Sequence, residues 1–182
     1  TSTGVDPSGL TYEPLSDDDG SDSFDIEVAD GNGGNDIITV DVDVQDAPEA
    51  STLTRGSTPG STPTNAETVE FDVSFSDGTS GLTVPKDDFE LTGDSGVTSG
   101  ATIDSVTGSG TSRTVTVKNV TGDGTLGLDV NDAHNITNGN RVPLGGVGTS
   151  DAGDGSFISG SKFTIDNTAP TLSDDSVSVS ED

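Results

Sequence analysis

Residues 21–44 read SDSFDIEVADGNGGNDIITVDVDV. Phe24, Ile26 and Val28 alternate with Asp25 and Glu27, and beyond ADGNGGND, Ile38, Val40, Val42 and Val44 alternate with Thr39, Asp41 and Asp43. Apolar residues at every second position share one face of an extended strand. The Asp, Asn and Gly between the two runs tolerate the backbone reversal of a turn. The stretch predicts a β-hairpin with one apolar face and one wet face.

The same period continues outward. Val69, Phe71, Val73 and Phe75 lie opposite Glu70, Asp72 and Ser74, and further strands are expected around Phe89 to Leu91, Ala101 to Val106, Thr114 to Val120, Leu126 to Val130 and Lys162 to Ile165. A short strand near Leu53 brings this second segment to about seven, the complement of a closed pair of sheets. The Ser, Thr, Gly and Pro of STLTRGSTPGSTPTNAET are too polar to pack by themselves. No helical period is sustained, so the fold class is all-β, with two tandem β-sandwich modules.

Two junctions share a pattern, VDVQDAPEA at Val42 to Ala50 and FTIDNTAPTL at Phe163 to Leu172. Each is a last strand, an acidic residue and then Ala-Pro, and proline ends a sheet because it cannot donate to the ladder. The junctions divide the chain into residues 1–48, 49–170 and 171–182. TLSDDSVSVSED, from Thr171 to Asp182, reads as the first strand of a module whose remainder is residues 1–48. Joined tail to head, the two make one smaller module split between the chain ends. The expectation is a repeating unit cut from a longer polymer, and the absence of Met agrees with a processed or internal segment.

Composition narrows the function. Across 182 residues, 33 Asp and Glu stand against 6 Lys and Arg, a formal charge of −27. Such a surface repels itself in dilute salt and is relieved by brine or by divalent cations. It argues against nucleic acid and anionic membranes as partners. The carboxylates are spread along strands and loops, which fits a salt-adapted, halophilic surface rather than an acidic tail. Cysteine is absent, so neither disulfides nor thiolate metal sites are expected. No apolar run approaches the length of a membrane-spanning helix. Hydrophobic residues are 27% of the chain, so the cores should be thin and built from Val, Ile, Leu and Phe.

Residues 49–170 resemble the immunoglobulin-like domains of very large bacterial and archaeal surface proteins. The motifs that carry the likeness are PTNAETVEFDVSFSDGTSGLTVPKDDFELTG, IDSVTGSGTSRTVTVKNVTGDGTLGLDVND and FTIDNTAPTL. The split module is similar to the cadherin-like repeats of such proteins, through DDSVSVSED and SFDIEVADGNGGNDIITVDVDVQDAPEA. It is short for that family. The resemblance therefore implies that a strand or two is either missing or supplied by a neighbouring copy, and Val177 and Val179 form an alternating pair suited to fill an open sheet edge.

Calcium is the cofactor such a chain invites, because a hard cation takes six to eight oxygen ligands. The candidates are Asp17, Asp18, Asp19 and Asp22; Asp30, Asn32, Asn35 and Asp36; and the junction carboxylates Asp46, Glu181 and Asp182. The cadherin-like resemblance implies that Glu181, Asp30 and Asp46 share an ion, although QDAPEA lacks the Asn-Asp-Asn of that pattern. The competing reading is that these Asx residues form turns by bonding their own backbone. A second metal candidate is LDVNDAHNITNGN, which gathers Asp129, Asn131, Asp132, Asn135, Asn138 and Asn140; an irregular loop is the alternative.

Catalysis finds no motif. His134 is the sole histidine, no nucleophile elbow is present, and carboxylates are too numerous for any pair to be informative. Asn119-Val120-Thr121 and Asn135-Ile136-Thr137 fit the glycosylation acceptor pattern, at a frequency that chance accounts for. The expected role is an extracellular, cell-surface structural repeat of a filament, stalk or sheath. It partners other copies of itself head to tail, by chain continuity or strand donation. The alternative is a ligand-binding module of a large adhesin, which would need an exposed aromatic face; Tyr12 is the only Tyr, and Trp is absent.

Overall fold

A computed structural model describes residues 20–29, 31–131, 135–145 and 156–172. The fold is all-β, in antiparallel sheets. β1 (Gly20–Ala29) and β2 (Asn35–Val44) form the hairpin, with Phe24 opposite Val40 and Ile26 opposite Ile38. The alternating runs on either side of the Gly-rich turn therefore meet in register. The expected apolar face forms but is not sealed. Ile38 remains 55% exposed and Val28 52%, because among the described residues the hairpin has two strands and no second layer to bury them.

The rest is one body. β3 (Glu49–Arg55), β4 (Thr68–Ser76), β6 (Thr102–Thr107) and β7 (Ser112–Lys118) form a four-stranded sheet of order β3-β4-β7-β6. β5 (Phe89–Gly93), β8 (Gly124–Val130) and β9 (Phe163–Ile165) form a three-stranded sheet of order β5-β8-β9. The helical structure among the described residues is a 3-10 turn at Lys86–Asp88 and a single α turn, α1, at Ser95–Thr98.

One buried apolar cluster draws on both sheets. Val69, Phe71, Val73 and Phe75 of β4 and Val115 and Val117 of β7 share a buried cluster with Phe89, Leu126, Leu128, Val130, Phe163 and Ile165 of the other sheet. Phe71 meets Phe163 edge to face across it, ring centroids 5.2 Å apart. The side chains that alternate in sequence are thus those buried in the core. Val97 of α1, Val120, Ile136 and Leu144 join the cluster from outside the strands, closing the core where the sheets end.

Strand register fixes which loops lie at which end. Glu49 pairs with Ser76 and Ser112 with Ser74, so the start of β3, the end of β4 and the start of β7 lie together. Thr68 pairs with Lys118, and Gly124 with Ile165, so the start of β4, the end of β7, the start of β8 and the end of β9 lie at the other end. The chain enters the body at the first end, the leading pole, and leaves from the second, the trailing pole. Nine-residue β4 sets their separation at roughly 30 Å.

Candidate functional site

The distinctive chemistry lies at the two poles, where the chain enters and leaves the body. At the leading pole, Asp46 of the linker between β2 and β3 accepts the Gly78 N–H on its Oδ2 at 2.8 Å. The Asp46 carbonyl accepts Nδ2 of Asn138 at 3.0 Å. Gln45 accepts a hydrogen bond from the Asn140 amide, and the Pro48 carbonyl accepts the Gly145 N–H at 2.9 Å. Four consecutive linker residues thus include three held by loops that are distant in sequence.

Asn138 organises this pole. It is 6% exposed, and its Oδ1 accepts the N–H groups of Asn140 and Val142, each at 3.0 Å, while its Nδ2 reaches Asp46. A buried amide with both ends bonded orders the loop and the linker at once. The loop is pinned further by Thr137 and Thr83, which exchange backbone hydrogen bonds, and by the Gly139 N–H to the Ser80 carbonyl. Arg113 adds a stitch from the start of β7. Its guanidinium, 7% exposed, donates to the carbonyls of Gly110, Ser112 and Leu82 at 2.9 to 3.0 Å, and burial lowers its pKa.

At the trailing pole, Asp123 receives the segment that follows β9. Its Oδ1 accepts the Asn167 N–H at 2.6 Å, and its Oδ2 accepts the Thr168 hydroxyl at 2.9 Å. Asn167 also donates its amide to the Gly122 carbonyl at 2.7 Å. The Asn167 and Thr168 donors hold the Asp123 pKa below the usual carboxylate value. Nearby, Asp94 accepts both the N–H and the hydroxyl of Thr125 on Oδ2, and these two bonds lower its pKa in the same way.

No family model, curated protein or solved structure matches the chain.

The sequence-derived candidates divide between these sites and the hairpin. Asp46 stands in the leading clip, bonded to Gly78. Asn35 and Asp36 lie at the start of β2, where Asn35 donates to Glu27 and Asp36 accepts the Ile37 N–H. Those are contacts within the hairpin, of the kind Asx residues make in turns. Among the described residues, no group of three or more Asp, Glu or His gathers as a metal cluster. Asp17, Asp19, Asp30, Glu181 and Asp182, and the assembly pair Val177 and Val179, lie outside the described residues. Asn119 is exposed at a turn with φ 59°, its amide on the Thr102 hydroxyl, whereas the Asn135 amide donates to the buried Asp88.

Sequence reasoning did not single out Asn138 as a linker anchor, nor Asp123 and Arg113 at all. The one available signal was the acidic residue ahead of each Ala-Pro junction, Asp46 directly before Ala47 and Asp166 three residues before Ala169. Both junctions do carry carboxylate contacts, through Asp46 and through Asp166, whose Oδ1 accepts the Thr168 N–H at 3.1 Å.

Proposed function

We propose that this chain is an extracellular structural repeat unit of a filament, stalk or sheath. The β3–β9 body serves as a stiff spacer between copies joined head to tail. The observation that supports this is the pair of hydrogen-bonded clips at opposite poles. A linker that is merely long lets successive domains swing, whereas one bonded at several points passes on the orientation of its neighbour. Entry and departure at opposite ends make each body add its length to the string.

The smaller module is completed, in this reading, by residues 171–182 of the neighbouring copy, through chain continuity or strand donation. The partly exposed apolar face of the β1–β2 hairpin supports that reading, because a two-stranded hairpin is marginal by itself. The charge of −27 keeps neighbouring fibres apart in dilute salt and lets them approach in brine.

Small-angle scattering from one, two and three concatenated copies tests the proposal. The expected result is a maximum dimension that rises by a constant increment per copy, with a rod-like cross-section. An increment that shrinks with each added copy, as for freely hinged beads, would count against it.

A further inference from the structure

The leading pole contains a carboxylate that the linker clip does not use. Asp88 closes the 3-10 turn before β5 and is 1% exposed. Its Oδ1 accepts the Asn135 amide at 3.0 Å, but its Oδ2 is buried with no hydrogen-bond partner. Removing a carboxylate from water is unfavourable unless charge or a full set of hydrogen bonds compensates it. One neutral amide on one oxygen falls short of that.

Two asparagines from the segment after β8 meet the turn, each through a nitrogen. The Asn131 N–H bonds the Asp88 carbonyl at 2.7 Å, which brings the end of β8 against the 3-10 turn. Asp88 itself is buried, but Asn131 and Asn135 are both exposed, so an ion would reach the carboxylate from their side. Turning the Asn135 amide over exchanges its nitrogen for its oxygen at the carboxylate. A carboxylate, side-chain amide oxygens and water are the ligands of a hard cation. An open, irregular shell suits calcium better than magnesium, which demands a compact octahedron.

We propose that Asp88, flanked by Asn131 and Asn135, binds a calcium ion at the leading pole. The ion neutralises the buried charge and occupies the unused lone pairs of Oδ2. It also ties β5 to the segment that continues directly into Ile136 and Asn138. Calcium thereby firms the loop that grips Asp46. The site does not depend on the filament reading, since a solitary module would bind the ion equally.

The test is calorimetric titration of the whole chain with calcium chloride at fixed ionic strength, comparing the wild type with Asp88→Asn and recording Tm with and without calcium. The expected result is that Asp88→Asn takes up one calcium fewer and loses the associated rise in Tm. Without calcium it should melt at or above the wild type, because the buried charge is gone. Equal stoichiometry and equal calcium-induced stabilisation in both would place the ion elsewhere and overturn the proposal, as would a wild type that binds no calcium or answers equally to magnesium. Should Asp88→Asn fail to fold, Asn135→Asp serves instead. It should bind calcium roughly tenfold more tightly through its added carboxylate and be less stable without it, and an unchanged affinity overturns the assignment.

Discussion

The buried Asn138 amide donates to the carbonyl oxygen of Asp46 at 3.0 Å across 92 residues of sequence. That bond joins the loop closing the leading pole to the linker arriving from the hairpin. Because the other end of the same amide accepts two loop N–H groups, replacing it releases both partners together. Asn138→Leu should cost roughly 2–4 kcal/mol, from three lost hydrogen bonds and two N–H groups left in a half-buried loop. Chemical denaturation measures the loss, and hydrogen exchange should show the Asn140 and Val142 amides opening far more readily. A variant as protected as the wild type would show that the loop holds without Asn138.

Gly78 is the backbone counterpart of that joint. Its φ is +27°, and a Cβ there would stand 2.3 Å from the Asp46 carbonyl oxygen. No flexible side chain can yield, because the obstructing atom belongs to the linker backbone. Gly78→Ala should therefore destabilise by about 1–3 kcal/mol and expel the linker from its seat. The denaturation midpoint reads the first effect. The second should appear in concatenated copies as a shorter, more variable end-to-end dimension.

Arg113 acts through shape as well as charge. Its planar fork reaches three carbonyls, belonging to Gly110, Ser112 and Leu82. A lysine ammonium cannot span the same set from one position. Arg113→Lys keeps the charge yet should lose roughly 1–3 kcal/mol, most of the effect of Arg113→Ala. If lysine restored full stability, charge rather than the fork would be the operative feature.

The strands were legible and the poles were not, for a physical reason. Val69, Phe71, Val73 and Phe75 announce themselves through period two, since a strand buried on one face must alternate. Ile136 sits in NDAHNITNGN, a run whose polarity reads as a solvent loop, yet it is fully buried. It plugs the end of the core because Leu144 returns to bond it, the Leu144 N–H on the Ile136 carbonyl at 2.9 Å. Nothing local signals such a return. Asp46 stood out through its place before Ala-Pro, but its partners Gly78 and Asn138 are chosen by tertiary proximity alone. The hairpin shows the converse limit. Its alternation marked the two strands, while the pattern carried no information on what covers Ile38.

Acid should loosen the trailing pole selectively. Asp123 and Asp94 both titrate below their ordinary value of 3.8, the first chiefly through the Asn167 N–H and the second through the Thr125 N–H. For a carboxylate with a depressed folded pKa, the stabilisation is fully present above the unfolded value and is lost as pH falls through the folded one. The clips should thus stay intact at pH 5 and open only below 3.8. Amide exchange and chemical shifts of Asn167 and Thr125 should follow that acid limb, and Asp123→Ala should remove the Asn167 response while sparing Thr125. An Asn167 signal that titrated near neutrality would refute the assignment.

Asp129 should behave in the opposite sense. It pairs with Glu90 across β5 and β8, and its pKa is raised, first by burial and further by Glu90, with Lys162 opposing. A carboxylate that binds its proton more tightly in the folded chain costs stability at neutral pH. That cost disappears as pH falls through the folded value toward 3.8. Asp129→Asn removes the charge without changing the shape, so it should stabilise the protein at pH 7 by a few tenths of a kcal/mol, the scale of a like-charge cross-strand pair. The gain should shrink to nothing in acid, where the wild-type residue is itself neutral. Thermal melts of both proteins across pH 3 to 7 would display this as two curves that converge at the acid end. Parallel curves would mean that the effect of the substitution is steric, and that the charge of Asp129 is adequately solvated where it stands.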